Sequence, residues 1–445
     1  MDLRAPQATE VWHMTVDQIA GAKVGHEWLV SRDAFNDEAR WRQELETVFR
    51  KAWLLVGHES EVRQIGDYVT RRMASDEVVL TRAEDGALHV LLNACTHRGT
   101  LLCKADRGNT RHFRCGYHGW TFGNDGELRG VPGRRKLYGD DFDEAELGMR
   151  RARVGNYRGL IFATFDSNID ALEDYLGDVR FYLDCFLDPT PNGTEAVGGS
   201  YAFTRHGNWK TAADNISGDG YHLRHAHRFA FELGIMGGQA GEVDGSCIQI
   251  ANGHALRAQH IASQGQAGQR FPGYPESLWP EISRHLEAEQ ANFLSDLTVA
   301  HGLVFPSMGF LHVPRAGGLE KDEFEAAALN VRVFNPISPN ITEERAWTIV
   351  PADYPADWKQ QACRSMQRQH GPTAFFEADD MENFQQIARG GAGRVANELL
   401  PARYDLAMDH APHIPWFDGP GNVVGADLSE ANQRWFYSQY LERLQ

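Results

Sequence analysis

Apolar residues fall at helical spacing over Glu44–Trp53 (ELETVFRKAW), which predicts a short amphipathic helix. The residues before it, 1–40, are polar and nearly aperiodic, with a helix predicted only around Asp17–Lys23. From Asp67 to Leu92 the pattern becomes alternation and apolar runs, the mark of strands, broken at Asp85-Gly86 by a hairpin signal. Asn124-Asp125-Gly126 is a second tight turn, and Arg158–Phe165 (RGLIFATF) reads as a buried strand. Residues 45–172 are thus expected to form a small all-β unit. Leu172, Leu176, Val179 and Leu183 stripe one face of a helix predicted over Asp170–Leu187. Pro189, Pro191, Asn192 and Gly193 end that helix and mark a linker. Strands follow near Ala202–Arg205, Ala328–Phe334 and Ala346–Val350, with helices near Leu278–Phe293, Ala356–His370 and Gln433–Leu444. A sheet covered by helices makes residues 173–445 an α+β domain. Gly237–Gly245 and Gly265–Gly273 read as mobile glycine-rich loops. The expected organisation is an N-terminal segment, 1–44, packed on the second of two domains, 45–172 and 173–445, with separate cores.

Composition narrows the class. A chain of 445 residues exceeds one ordinary core, in keeping with two domains. With 42% hydrophobic residues it is globular, and a formal charge of −17 argues against nucleic acid as a partner. No apolar run reaches the ~18 residues a membrane span needs. The opening MDLRAPQATEVWHM has neither the basic start nor the apolar run of a signal peptide. Six scattered cysteines fit a reducing compartment, so a cytoplasmic location is expected.

The densest chemistry lies between Cys95 and His118. Cys95-Thr96-His97 and Cys115-Gly116-Tyr117-His118 each offer one thiolate and one imidazole, with seventeen residues between the corners. A zinc finger separates its Cys pair from its His pair, whereas each corner here mixes the two. Mixed corners suit a cluster with sulfur on one iron and nitrogen on the other. They resemble the Rieske [2Fe–2S] site.

A second constellation follows in NWKTAADNISGDGYHLRHAH, residues 208–227. His222 and His227 would point about 140° apart on a regular helix, while His222 and His225 would share a face more easily. Spacing alone leaves His225 and His227 both open. Two His and one carboxylate would leave coordination positions free for oxygen on an iron. The acidic stretch FFEADDMEN, residues 375–383, offers Asp379 and Asp380, of which one can face inward and the other is expected to be solvated.

Taken together these motifs resemble the large (α) subunits of Rieske non-haem iron aromatic-ring-hydroxylating dioxygenases, over most of the chain. The resemblance rests on Cys95, His97, Cys115 and His118 with Arg98-Gly99 and Gly119-Trp120; on Asn215, Gly218, Asp219, Tyr221, His222 and His227; and on Glu377, Asp379, Asp380, Glu382 and Asn383. It implies that Cys95, His97, Cys115 and His118 hold the cluster. It likewise implies that His222, His227 and Asp380 hold a mononuclear Fe(II), with His225 a bystander. The implied fold joins an all-β Rieske domain to an α+β helix-grip catalytic domain with a central antiparallel sheet. The implied assembly is α₃β₃ with a small β subunit, or an α₃ homotrimer. The implied reaction adds O₂ to an aromatic substrate to give a cis-dihydrodiol, with electrons from NAD(P)H through a reductase and ferredoxin. Rieske monooxygenases and demethylases use the same metals. A pure electron carrier would not need the long second domain.

Asp219 stands beside His222, where a carboxylate can take the free ring N–H and fix its orientation. By resemblance it also meets His118 of a neighbouring subunit, so Asp219, with Asn215 and Tyr221, is expected at the catalytic centre. Asn215, Ile216, Leu223, His301 and Phe376 are expected to wall the substrate pocket. No arginine is evidently committed to a substrate carboxylate, although Arg224 lies close in sequence, which favours an uncharged arene. Arg98, Lys104, Arg107, Arg111 and Arg114 form a basic patch that could steer an acidic ferredoxin. Thr100 and Tyr117 occupy positions that carry a disulfide in high-potential Rieske proteins, which predicts a lower potential here.

Overall fold

The computed structural model describes residues 20–24, 27–139, 142–233, 245–260, 271–295, 297–316, 324–407, 419–426 and 428–444. The first half is built of short antiparallel strands. Leu88–Leu92, Asp76–Arg82, Asp67–Met73 and Arg107–Asn109 form one sheet in that order. A second joins Leu128–Gly130, Thr121–Gly123 and His112–Arg114, and a third joins Arg153–Tyr157, Leu160–Thr164 and Leu54–His58.

The second half is organised on an eight-stranded antiparallel sheet. Its order is Thr194–Arg205, Ile341–Pro351, Ala326–Ser338, Met308–Ala316, Leu297–Val304, Ala255–His260, Gly245–Gln249, Asn422–Ala426. Side chains alternate between the faces of a strand, so the register decides what each face carries. Arg257 pairs with His301, His301 with Leu311, Gly309 with Arg332, and Arg332 with Ala346, two residues from Glu344. Arg257, His301, Gly309, Arg332 and Glu344 therefore share one face. The helix Trp209–Gly218 lies on that face, where Gly309 leaves room for Ile216: a Cβ there would come within 3.1 Å of the Ile216 side chain. The opposite face carries Phe310 and His312, against which Phe186 of the Val179–Leu187 helix packs, its ring stacked on His312 at 4.6 Å.

One large core runs through both halves, from Val48, Leu55 and Phe162 to Leu303, Val331 and Phe436. The expectation of two separate cores is therefore corrected. Among the described residues only the cluster-bearing tip has a core of its own, made of Val79, Leu91, Cys95, Cys103, Phe113, Cys115, Trp120, Phe122, Leu128 and Met149. Buried polar contacts reinforce the junction. Glu44 accepts hydrogen bonds from Trp209 Nε1 (2.8 Å), Lys210 Nζ (2.5 Å) and the Tyr440 hydroxyl.

Other corrections are local. Ala20–Val24, which overlaps the helix predicted around Asp17–Lys23, is a strand paired with Glu27–Val30, which in turn pairs with Ala402–Arg403. That distant partner outweighs weak helical propensity in AGAKV. Residues 17–19 lie outside the described ones. The helix expected over Asp170–Leu187 is two, Leu172–Leu176 and Val179–Leu187, separated by Gly177 at φ +50°. Leu278–Phe293 likewise splits into Trp279–His285 and Ala288–Ser295, because Leu286 is extended. Of the predicted loops, 237–244 and 265–270 lie outside the described residues; Gly245 begins a strand, and Gly273 accepts a hydrogen bond from Ala327 N (2.7 Å). Among the described residues no helix is long and apolar enough to cross a membrane.

Candidate metal centres

The two Cys/His corners are built alike. Cys95 N–H donates to Thr100 O (2.9 Å) and Gly99 N–H to Cys95 O (2.7 Å). Cys115 N–H donates to Trp120 O (2.8 Å) and Gly119 N–H to Cys115 O (3.0 Å). Each turn closes through a glycine at φ +74°, a conformation other residues adopt only at a cost. Backbone N–H groups of His97 and Arg98 point at Cys95 Sγ, and those of Tyr117 and His118 at Cys115 Sγ. Both thiols are buried, and all six cysteines are free. The rings of His97 and His118 lie 4.5 Å apart, with His97 stacked on Trp120. His97 Nδ1 and His118 Nδ1 are buried without a hydrogen-bond partner among the described residues. Two buried thiols and two neighbouring imidazoles with orphaned nitrogens are the donor chemistry that a [2Fe–2S] group of the mixed type takes. An open hollow of about 480 Å³ borders the corner, lined by Arg114, Tyr117, His118, Gly119 and Pro132 among others.

The second centre is assembled from distant segments. Asn208 caps the Trp209–Gly218 helix by accepting from Lys210 N, and the chain leaves it at Asp219 into a short 3₁₀ turn, His222–Arg224. That break lets His222 and His227 converge, with rings 5.1 Å apart. His225 is exposed and lies against Tyr221. The Phe375–Gly391 helix brings Asp380 to the pair: its Oδ1 lies 3.3 Å from His227 Nε2 and 3.7 Å from His222 Nε2. His222, His227 and Asp380 each place one ligand-type atom within 4.8 Å of the others. Metal bonds of about 2.1 Å set neighbouring donors roughly 3 Å apart, so this donor set fits one ion.

The remaining ring nitrogens face carboxylates. Asp219 Oδ1 lies 3.4 Å from His222 Nδ1 and also accepts the N–H groups of Tyr221 (3.0 Å) and His222 (3.1 Å). Asp379 Oδ2 lies 3.5 Å from His227 Nδ1, although its side chain is 39% exposed. Asp379 was expected to be merely solvated; its place one residue before Asp380 turns it toward the other edge of His227. Asn215 Nδ2 lies 3.4 Å from His222 Nδ1, and Tyr221 is exposed.

The residues expected to wall a pocket behave differently from one another. Phe376 meets His227 edge-on at 5.0 Å, and Ile216 packs over Gly309. Leu223 is half-buried, and Arg224 has no described side chain. His301 is buried with both ring nitrogens occupied: Arg257 donates to Nε2 (2.9 Å), and Nδ1 donates to Ile216 O (3.0 Å). Burial and the Arg257 charge push its pKa down to about 3, so it stays neutral. Sequence reasoning missed His370, which stacks on Phe376 at 5.4 Å and is pushed down to about 3 by burial and by Arg332. It also missed a buried Arg205, Arg332, Glu344 and Glu377 cluster; arginines inside apolar strands such as NVRVF were the available signal. Of the basic patch, Arg98, Lys104, Arg107, Arg111 and Arg114 are all exposed.

Residues 52–154 match the Rieske [2Fe-2S] domain model, and residues 173–444 match the model of the ring hydroxylating alpha subunit catalytic domain. The chain belongs to the ring-hydroxylating alpha-subunit family. It is 34% identical to the biphenyl dioxygenase subunit alpha of Paraburkholderia xenovorans (strain LB400), over 98% of this chain and 95% of that protein. It is 30% identical to the N,N-dimethyl phenylurea N-demethylase subunit alpha of Sphingobium sp. (strain YBL2), over 94% and 91%. The solved naphthalene 1,2-dioxygenase from Rhodococcus sp. bound to indole superposes with a TM-score of 0.88 at 35% identity, over 94% of each chain. This ring-hydroxylating oxygenase alpha subunit accordingly takes a [2Fe–2S] cluster and a mononuclear iron.

Proposed function

We propose that this alpha subunit is the terminal oxygenase of a multicomponent system that adds both atoms of O₂ to an uncharged aromatic ring, giving a cis-dihydrodiol. The observation that carries the reading is the convergence of His222 Nε2, His227 Nε2 and Asp380 Oδ1 beside the apolar Phe376. In this reading Cys95, His97, Cys115 and His118 hold the cluster, and His222, His227 and Asp380 hold the iron. When bound, the cluster would supply single electrons and the iron would activate O₂. The protein's own part is to orient and to exclude water. Asp219 lies against Nδ1 of His222 and Asp379 stands 3.5 Å from Nδ1 of His227, so each ring has a carboxylate on its outward edge and Nε2 inward. Phe376, Ile216 and neutral His301 present carbon rather than charge to a substrate, which suits an arene. In this reading Asp219 would also face His118 of a neighbouring copy, with electrons crossing between subunits of an α₃ or α₃β₃ assembly. Reductase or ferredoxin, driven by NAD(P)H, delivers those electrons to the basic side of the cluster tip. The chain divides functionally into 1–44, 45–172 and 173–445.

A second reading, oxidative N-demethylation, is favoured by the 30% identity to a phenylurea demethylase subunit. Incubation with a panel of arenes and N-methyl arylureas under ¹⁸O₂ tests both. Two labelled oxygens in a dihydrodiol support dioxygenation; formaldehyde release without ring oxidation would replace it with demethylation.

A further inference from the structure

Four charged side chains lie buried beneath the helix that carries Asp380. Arg205, Arg332 and Glu344 come from three adjacent strands, Thr194–Arg205, Ala326–Ser338 and Ile341–Pro351, and point to the same sheet face. Glu377 comes from the first turn of the Phe375–Gly391 helix. Each of the four side chains is at most 6% exposed. Arg332 Nη1 donates to Glu377 Oε1 (2.6 Å), and Arg205 Nη2 donates to Glu377 Oε2. Both arginines also reach Glu344, Arg205 through Nε and Arg332 at 3.1 Å. Two cations and two anions cancel, so the cluster carries no net charge into the core.

Stability is a weak reason for such a group, since apolar side chains of similar volume commonly serve at least as well. Geometry gives a stronger one. Glu377 is gripped through both oxygens by arginines from two different strands, which fixes the helix in rotation as well as position. Residue i+3 shares the face of residue i, so the turn after Glu377 points Asp380 the same way. Adjacent helical residues differ by about 100°, so Asp379 and Asp380 approach His227 from different sides, and the roll of the helix decides which of them is presented to the histidine pair. Both aspartates already lie within 3.5 Å of His227.

We propose that Glu377, clamped by Arg205 and Arg332, is a positioning residue that sets the roll of this helix and so presents Asp380, rather than Asp379, to His222 and His227. The proposal rests on the reading of Asp380 as an iron ligand.

The test compares Glu377→Gln with Glu344→Gln. Both remove one carboxylate from the same cluster, but only Glu377 stands on the helix. Fe(II) affinity is measured by chelator competition on folded, cluster-loaded protein, alongside thermal unfolding. Glu377→Gln should weaken Fe(II) binding by about tenfold, in the range seen when groups supporting metal ligands are removed. Glu344→Gln should lower the melting temperature comparably yet leave Fe(II) affinity within about twofold. Equal losses of affinity in both variants, or none in Glu377→Gln, would overturn the proposal. Asp380→Ala separates the two layers: iron retained there refutes the ligand assignment itself, whereas iron lost there but kept in Glu377→Gln refutes only the clamp. Should Glu377→Gln not fold, Glu377→Asp replaces it; its shortened arm should weaken Fe(II) binding in the same direction, and unchanged affinity would overturn the clamp.

Discussion

The two candidate metal centres are constructed on opposite plans. The cluster tip consists of two hairpin corners, each closed within six residues by the same pair of backbone hydrogen bonds, over a small core of its own. Among the described residues the iron centre has no core of its own. Its histidines leave the end of one helix, its aspartate rides on another, and both helices are referenced to a sheet through buried charges and the shared core. A site made of local turns can be lost without disturbing its surroundings, whereas one assembled from distant elements is sensitive to whatever sets their relative placement.

The strongest way to break this contrast is to remove ligand groups. His227→Ala should drop iron from three to two per chain and abolish turnover, while His225→Ala keeps both, measured by metal analysis and product formation. Reversed behaviour would move the ligand set to His222, His225 and a carboxylate. At the tip, Cys115→Ser or His97→Cys should eliminate the Rieske visible and EPR signals while leaving the unfolding transition of the large core in place. Collapse of that transition would show that the tip is not independent after all.

Asp219→Asn probes the connection between the plans. It should leave both metals bound, since the hydrogen bond it weakens only orients His222, and charge-assisted bonds are roughly twice as strong as neutral ones. Stopped-flow reoxidation of the reduced cluster, with substrate and O₂, should slow by at least about tenfold. Wild-type reoxidation would send the electrons by another route. Asp379→Asn, acting on the more exposed edge of His227, should weaken Fe(II) retention by only about twofold to threefold, read by chelator competition.

A pH dependence is expected as well. Asp214, in the site helix, accepts from the hydroxyls of Tyr404 (2.8 Å) and Tyr437 (2.6 Å), with Asp219 and Glu430 as its charged neighbours. Burial raises its carboxyl from the ordinary 3.8 to about 7. A raised acid favours the folded state while protonated, so its stabilisation is complete below about pH 4 and is lost as pH rises toward 7. Wild type should therefore lose stability relative to Asp214→Asn over that window, by denaturant titration at several pH values. A constant difference would place Asp214 outside the titrating set.

Much of this was legible in the chain. Alternation around Asp67–Leu92 announced the small sheets, and Cys/His spacing announced a mixed-ligand cluster, because both depend on neighbours in sequence. The Ala20–Val24 strand was not legible, since its pairing reaches Ala402–Arg403 through Glu27–Val30. Nor was the break at Gly177, which divides an otherwise continuous apolar stripe.

By itself the sequence determined which residue types could hold metal and the kind of sheet that would carry them. Periodicity and spacing record local chemistry. Tertiary structure decided the rest: that His225 faces outward against Tyr221, that Asp379 and Asp380 meet different edges of His227, and that His301 has both ring nitrogens engaged. Those outcomes turn on the break after Trp209–Gly218, the roll of Phe375–Gly391 and the register of the eight-stranded sheet. All three are set by contacts between segments far apart in the chain, which no local pattern encodes.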